Sequence, residues 1–283
     1  GYNAVVNTRN GRFSLKQNKA ESEENKIKFM TALGLLTDIN QTELEVDVVS
    51  GLPVLEYKNQ KDKLINMMQN TFNFSMYYGP KQVHKEIKVN KVKIISQGEA
   101  AFYDYILNDN GEINKEKAKD TLGRTMVVDI GYKTTDIVTM ENGKYIEVMS
   151  DQLNQGINQV HNECIKLILN KYNIKKEMKE IDDLIRDKKL FYNKQNIDIS
   201  EIISEASKPF AFDIIDNLIN ISNDQLGALQ TIILTGGGSS LIYDYTKKEL
   251  DATVNIVSTS NSEYSNSKGY YKYGLLLKNN KAW

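Results

Sequence analysis

An acidic residue followed by a tight, hydroxyl-rich turn is the first feature of this sequence that could do chemistry. Residues 126–131 read M-V-V-D-I-G, a β-branched run typical of a buried strand, and the turn continues with Y-K-T-T-D. Burying a carboxylate is costly unless it serves a cation or a hydrogen-bond network, so Asp129 is a candidate to hold Mg²⁺ through water. Gly131 would let backbone N–H groups approach an anion, and Thr134 and Thr135 carry hydroxyls that can donate to phosphate oxygens. An ordinary β-hairpin turn built by the same residues remains an equal alternative.

A run of three glycines is the second such feature. Residues 232–241 read I-I-L-T-G-G-G-S-S-L, which predicts a buried strand, a glycine turn and the start of a helix. Gly236, Gly237 and Gly238 would allow a ligand to lie against bare backbone, beside the positive end of the helix dipole. The spacing is not G-x-G-x-x-G and no acidic residue follows about 20 positions later, which argues against a dinucleotide fold. A turn without any ligand remains an alternative.

The two turns are embedded in a repeating order of strands and helices. Strands are predicted near residues 46–50, 83–92, 126–131, 136–140, 145–149 and 231–234, and helices near residues 27–39, 61–70, 99–107, 157–169, 177–188, 199–221, 239–250 and 268–277. Residues 108–123 are expected to form a polar connector. Strand hairpins followed by helices occur twice, which indicates an α/β protein with two halves of similar construction.

Composition excludes several classes of function. The 283 residues carry 36 basic and 37 acidic side chains, a net charge of −1, so the chain lacks the positive excess that neutralises DNA phosphates. No run approaches the roughly 18–20 apolar residues that a membrane span needs. The single cysteine, Cys164, cannot form an internal disulfide, which favours a reducing, cytoplasmic setting. Direct nucleic-acid binding and membrane insertion are therefore not expected.

Several motifs together resemble a known superfamily. The order of a G-Y-N turn at residues 1–3, the D-I-G-x-x-T-x-D hairpin and the T-G-G-G-S strand end is similar to the actin, Hsp70 and sugar-kinase superfamily. Within it, V-D-V-V-S-G-L-P-V-L-E-Y at residues 46–57 resembles a segment of bacterial plasmid-segregating actins of the ParM type, and N-S-E-Y at residues 261–264, with the K-G-Y that follows and Gly274, resembles their C-terminal end. The resemblance implies an actin-like fold, in which two similar RNase H-like α/β lobes enclose a nucleotide cleft.

The resemblance also implies a division of the chain. Residues 1–124 would form the first lobe, residues 125–258 the second, and residues 259–283 a segment that returns to the first lobe. The first lobe of this superfamily contains a strand before its phosphate turn, and a subdomain inserted after its first hairpin. We therefore expect a polypeptide longer than the sequence shown, with an Asp two residues before Gly1 and further residues between about Leu15 and Asn25.

Site residues follow from the matched motifs. Asp129 would be the magnesium-associated catalytic carboxylate, and Gln97 would orient the attacking water, because a Gln cannot accept a proton at neutral pH. The residues implied to bind nucleotide are Gly1, Tyr2, Asn3, Gly131, Tyr132, Lys133, Thr134, Thr135, Lys188, Gly236, Gly237, Gly238 and Ser239. A helix-capping role for Gln97 and a solvated role for Lys188 remain alternatives. His84 and His161 are isolated, so we expect surface or packing roles for them.

The function implied is that of a filament-forming bacterial actin. It would hydrolyse ATP or GTP with Mg²⁺, polymerise with copies of itself, and segregate plasmid DNA through a centromere-binding adaptor protein that contacts the DNA. A small-molecule kinase of the same superfamily is an alternative, for which Asp47 or Glu56 would have to supply the base. A nucleotide-binding scaffold without hydrolysis is a further one. The sequence does not distinguish ATP from GTP.

Overall fold

The structure, a computed structural model, describes residues 22–223 and 225–283. The chain divides into two compact units: Gln97–Lys272 form the second unit, and Gly1–Ser96 with Tyr273–Trp283 form the first. The predicted turn at Gly1, Tyr2 and Asn3 lies outside the described residues. Both units combine helices with a β-sheet, which confirms the predicted α/β class.

The described part of the first unit contains a three-stranded sheet and two helices before it joins the second unit. Its elements are α1 (Glu23–Leu36), β1 (Glu43–Leu52), α2 (Val54–Met68), β2 (Thr71–Tyr78) and β3 (Lys81–Ser96). The strand order is β1-β3-β2, with β1 parallel and β2 antiparallel to β3. Buried apolar side chains from the sheet and both helices, among them Leu33, Leu64 and Ile94, form its core.

The second unit is built on a five-stranded sheet with helices packed against it. Its elements are α3 (Gln97–Ile106), α4 (Lys115–Lys119), β4 (Arg124–Ile130), β5 (Thr135–Glu141), β6 (Lys144–Leu153), α5 (Asn158–Tyr172), α6 (Met178–Asp187), β7 (Lys189–Tyr192), β8 (Gln195–Asp198), α7 (Ser200–Ile221), β9 (Thr231–Thr235), α8 (Ser239–Leu250), β10 (Asn255–Ser258) and α9 (Ser265–Asn279), whose last residues belong to the first unit. A separate hairpin pairs β7 with β8. No helix in the two described ranges is long and apolar enough to cross a membrane.

The sheet order of the second unit brings the two predicted turns together. The strands run β10-β9-β4-β5-β6, with β4 parallel to β9 and antiparallel to β5. Asp129 in β4 is therefore in register with Thr235 in β9 and with Asp136 in β5. Because β4 and β9 end at the same edge of the sheet, the turn after Ile130 lies beside the turn that begins at Gly236.

The buried strands of this sheet explain its continuous apolar runs. Strands β4 and β9 are buried along nearly their whole length, so apolar side chains are needed on both faces and not only on alternate residues. Helices α5, α7 and α8 bury their apolar faces in the same core, through side chains such as Cys164, Phe210 and Ile242.

Some elements depart from the sequence prediction. Strands β2, β7, β8 and β10 were not predicted, α4 lies in the predicted connector, and α2 begins at Val54, directly after β1, and not near residue 61. Residues 97–124, assigned by the sequence to the first lobe, group here with the second unit. The reason is that α3 packs on β4 and β5, so closely that a methyl group at Gly98 would lie 2.4 Å from Val138 Cγ2. The predicted lobe boundary at 124/125 stays a prediction.

Candidate functional site

A cavity of about 840 Å³ lies within the second unit, at the edge of the sheet where β4 and β9 end. Its walls come from the β4–β5 turn, the first turn of α5, the end of α6, the start of α7, and the glycine turn with the start of α8. Five predicted site residues line it: Gly131, Tyr132, Lys188, Gly237 and Gly238. The volume falls in the range of roughly 300–1,000 Å³ that is usual for small-molecule and cofactor sites.

The β4–β5 turn presents unpaired backbone donors. The N–H of Gly131 donates to the carbonyl of Thr134 at 2.9 Å, which closes the turn. The N–H groups of the three residues inside it, Tyr132, Lys133 and Thr134, donate to no other residue in the part of the chain that the structure describes. Consecutive unpaired N–H groups in a turn form a concave site that favours an anion.

The start of α5 fixes the position of this turn. The N–H groups of Ile157 and Asn158 donate to the carbonyls of Gly131 and Tyr132, at 3.1 and 3.0 Å. Gly156 is needed for this approach, because a methyl group there would lie 2.6 Å from the Tyr132 carbonyl oxygen. The hydrogen bonds from α5 thus fix the turn through its carbonyl groups and leave the N–H groups of residues 132–134 unpaired among the described residues.

The glycine turn uses most of its backbone donors within the protein. The N–H of Gly236 donates to the carbonyl of Ser262 at 3.2 Å, and the N–H of Gly238 donates to the carbonyl of Ile130 at 3.1 Å. Gly236 has φ +82°, and a methyl group on it would lie 2.5 Å from Asp129 Oδ1 and from the Ile130 carbonyl. These two donors are already used, and of the three glycines only Gly237 has an N–H group that donates to no described residue.

Gly237 has free space beside it in that turn. A methyl group on Gly237 would meet no atom within 4 Å, and the residue lines the cavity. Ser239, one of the predicted site residues, does not line it: its hydroxyl donates to the Gly236 carbonyl at 2.8 Å and holds the turn. The next residue, Ser240, lines the cavity in its place.

Asp129 lies immediately behind the two turns. Its side chain is buried, and Asn266 Nδ2 in α9 donates to its Oδ2 at 2.7 Å. Burial raises the pKa of Asp129 above the ordinary value of a carboxyl group, and the hydrogen bond from Asn266 offsets part of that rise. The carboxylate is in the interior position that the sequence predicts.

The surroundings of Asp129 suit a cation that is held mainly by other ligands. Among the described residues, no three His, Cys, Asp or Glu side chains are grouped closely enough to bind a metal by themselves. The Oδ1 atom of Asn266 is buried and has no hydrogen-bond partner among the described residues. One carboxylate and one free amide oxygen fit a Mg²⁺ ion that takes its remaining ligands from water and phosphate, which is how this ion is usually bound.

Other predicted residues have different positions. Thr135 is fully buried and its hydroxyl donates to the Gln155 carbonyl at 2.8 Å, so it is not free to contact a phosphate in this structure. Gln97 is the first residue of α3, half-buried, and does not line the cavity. Lys188 follows α6 with φ 53° and does line it.

Part of the cavity wall is formed by a residue that the sequence does not mark as a site residue. His161 in α5 is buried, as a packing residue would be, yet it lines the cavity with its Nε2 atom 3.3 Å from Asp182 Oδ1. Its ring packs edge-on against Tyr132, with centroids 5.8 Å apart. Burial lowers the pKa of His161, and the Asp182 carboxylate opposes this shift more weakly. The helical spacing that it shares with Cys164 and Ile168 signals a buried face but not a cavity.

Two family models match the sequence. Residues 1–99 match the model described as "Actin like proteins N terminal domain", and residues 127–248 match "Archaeal actin homologue MreB-like, C-terminal". A search of curated proteins finds no match to the chain. The two models fall on different units, and together they extend over most of the sequence.

Solved structures of actin homologues share the fold. An archaeal actin homolog in complex with ADP is 17% identical, with a TM-score of 0.73 over 91% of this chain and 79% of that chain. The pCBH ParM non-polymerisable quadruple mutant is 25% identical, with a TM-score of 0.68 over 92% and 77%. A ParM in a 15-stranded filament from Clostridium botulinum is 23% identical, with a TM-score of 0.69 over 92% and 75%.

The predicted actin-like fold is confirmed by these likenesses. Models of actin-like proteins thus match a segment in each of the two units. The narrower resemblance to ParM-type proteins stays a prediction.

Proposed function

We propose that this protein binds ATP or GTP with Mg²⁺ in the cavity of the second unit, assembles with copies of itself into filaments, and hydrolyses the nucleotide. One observation carries the proposal: the β4–β5 turn and the bare glycine turn border the same cavity, through Gly131 and Tyr132 on one side and Gly237 on the other. The N–H groups of residues 132–134 in the first of these turns donate to no described residue. A ligand that suits both turns has an anionic end and a flat end, as a nucleotide does.

The phosphates would lie on the β4–β5 turn. Its N–H donors can bind anionic oxygens without any rearrangement, because the turn is already held through its carbonyls. Asp129 would hold Mg²⁺ through water beside the same oxygens. The ion would supply the positive charge that neutralises the phosphates as the terminal bond breaks.

The nucleoside would extend along the glycine turn. Gly237 and Gly238 supply a wall without side chains, and Ile185, Ile203 and Leu241 add apolar surface to the same cavity. Lys188, which lines the cavity, can donate hydrogen bonds to ribose or base. Gln97, at the start of α3, would orient the attacking water.

Assembly and cellular role rest on the likeness to filament-forming relatives. One of the similar structures is a ParM filament, at 23% identity. The net charge of −1 supports a role in which a centromere-binding adaptor, and not this chain, contacts plasmid DNA. The setting would be the cytoplasm, where ATP and GTP are available and Cys164 stays reduced.

Sedimentation and light scattering in the presence of nucleotide test this proposal. We expect ATP or GTP with Mg²⁺ to drive the protein into sedimentable filaments above a critical concentration, and a slowly hydrolysed analogue to prolong them. Samples with EDTA, or without nucleotide, serve as controls and should stay dispersed. A protein that remains monomeric with both nucleotides contradicts the assembly proposal, and one that then phosphorylates a metabolite would be a kinase.

A further inference from the structure

We propose that Asn266 is the positioning residue of the cation site: it orients the Asp129 carboxylate and offers its own amide oxygen to the hydrated cation. The inference rests on the proposed function, because it assigns a residue to the same site. It starts from a contact between residues 137 positions apart in the sequence, the hydrogen bond from Asn266 Nδ2 to Asp129 Oδ2 at 2.7 Å.

The two oxygens of Asp129 are held in different ways. Oδ2 accepts the hydrogen bond from Asn266, and Oδ1 lies against Gly236, where a methyl group would come within 2.5 Å of it. The carboxylate therefore cannot rotate freely about its last bond. A carboxylate fixed in this way keeps one oxygen in a constant direction, as a ligand that orients a metal-bound water requires.

Only one of the two polar atoms in the Asn266 amide forms a hydrogen bond with a described residue. Nδ2 donates to Asp129, whereas Oδ1 is buried and accepts no hydrogen bond from the residues that the structure describes. An unpaired buried acceptor is costly, and a water or a hydrated cation would satisfy it. The free oxygen belongs to the same side chain that donates to Asp129. The Asp129 carboxylate and the Asn266 amide oxygen would therefore both face one ion.

Helix α9 is anchored so that Asn266 has little freedom to move. Ser265 Oγ donates to Asp104 Oδ2 in α3 at 2.7 Å, and Lys272 Nζ lies 2.8 Å from Asp104 Oδ1. Between them, Gly269 meets the backbone of α3 so closely that a methyl group would overlap the Ala100 carbonyl oxygen. These contacts fix α9 on both sides of Asn266.

Neighbouring groups argue against a purely structural role for this side chain. Tyr270, one helical turn after Asn266, has a pKa raised by burial and further by the carboxylates of Asp129, Asp136 and Glu99. Three carboxylates thus act electrostatically on the side chain one helical turn from Asn266. A neutral amide here avoids adding a further negative charge and still supplies both a donor and an acceptor.

The experiment titrates Mg²⁺ into the protein with a fluorescent ATP or GTP analogue at constant concentration. Asn266→Ala and the similarly sized Asn266→Leu should raise the half-saturating Mg²⁺ concentration about tenfold or more, as other losses of supporting residues around metals do. Nucleotide binding in EDTA should change less than about threefold, because the wall at Gly237 and the turn donors are untouched. Ser267→Ala, an exposed position on the same helix, is the matched control and should behave as wild type.

The outcomes separate this inference from the proposed function. If wild type binds nucleotide with Mg²⁺ and both Asn266 variants have the wild-type Mg²⁺ dependence, the positioning role is wrong and the proposed function stands. If the variants lose binding equally in EDTA, the residue supports the fold only, and the inference is again wrong. If wild type binds neither nucleotide, both proposals are overturned.

Discussion

Gly236 and Gly237 are adjacent in the chain, yet their surroundings in the structure differ. Gly236 has φ +82°, a conformation that an L side chain rarely adopts, and it lies against Asp129 and Ile130. Gly237 has open space around the position of a Cβ atom and faces the cavity. A methyl group at each position therefore tests a different property of the protein.

Gly236→Ala should destabilise the fold, by at least about 1–2 kcal/mol from the left-handed backbone alone and by more from the overlap with Ile130. Gly237→Ala should leave the free energy of unfolding within about 0.5 kcal/mol of wild type, because nothing is displaced. It should weaken nucleotide binding, since the methyl group would occupy the wall of the cavity. Urea denaturation and nucleotide titration of both variants measure these effects, and equal stability of the two would contradict the structure of this turn.

Asp129→Asn should separate activity from stability. We expect Mg²⁺-dependent hydrolysis to fall on the order of 10²-fold or more, because the charge that holds the ion is lost while the side-chain volume is kept. Phosphate release measures this loss, with Asp151→Ala, an exposed carboxylate of β6, as the control. Wild-type turnover in Asp129→Asn would rule out the assignment.

The same variant makes a prediction about pH. The pKa of Asp129 is raised in the folded state, so unfolding releases a proton between its ordinary pKa near 4 and the raised value, and the folded protein loses stability as pH rises through that window. Without Mg²⁺, Asp129→Asn should therefore melt at a higher temperature than wild type at pH 7. The difference should shrink as pH falls through that window and should be smallest, and constant, below about 4.

At the residue scale, local patterns marked only part of the site. Asp129, Gly131 and the glycine run stand at strand ends with recognisable neighbours, so their positions could be predicted. Asn266 could not be, because its partner is 137 residues away and only the packing of α9 on the second unit brings them together.

At the element scale, α9 depends on a buried ion pair. The side chains of Lys272 and Asp104 are 11% and 4% exposed, with Lys272 Nζ also donating to the Asp104 carbonyl at 3.0 Å. These contacts hold α9 against α3 and lie within seven residues of Asn266. The helix pair should therefore be sensitive to loss of either partner.

Lys272→Met should lower the free energy of unfolding by about 3–5 kcal/mol, because it leaves the buried Asp104 carboxylate without its cation. The double variant Lys272→Met, Asp104→Asn should recover part of that loss, since no buried charge remains. The matched control is Lys166→Met, which breaks an exposed pair with Glu163 and should cost less than about 1 kcal/mol. Urea denaturation compares them, and an equal cost for Lys166 and Lys272 would show that burial does not strengthen this pair.

Some strands have a clearer pattern in the sequence than others. Strands β4 and β9 are short buried runs with apolar centres, followed by glycine turns, and their predicted bounds are close to the observed ones. Strand β2 also has a recognisable pattern, since Phe72, Phe74 and Met76 alternate with polar residues. Strands β7, β8 and β10 have four residues each, too few for a period to be distinguished from a loop.

At the scale of the whole molecule, two units of the same α/β class are joined by a chain that passes from one to the other and back. The repeated strand and helix order predicted two such halves. Which segment belongs to which unit was not readable, because α3 follows β3 without a loop and its membership depends on packing against β4 and β5.

The different structures of the two turns have a consequence for how this protein can change over generations. Under the proposed function, the donors of residues 132–134 recognise the charge that ATP and GTP share, whereas the wall at Gly237 meets the base, in which they differ. Mutations along that wall can then exchange one base for the other while the phosphate chemistry is inherited intact. Nucleotide preference becomes a trait that selection can adjust separately from hydrolysis, in step with whichever nucleotide pool the host cell maintains.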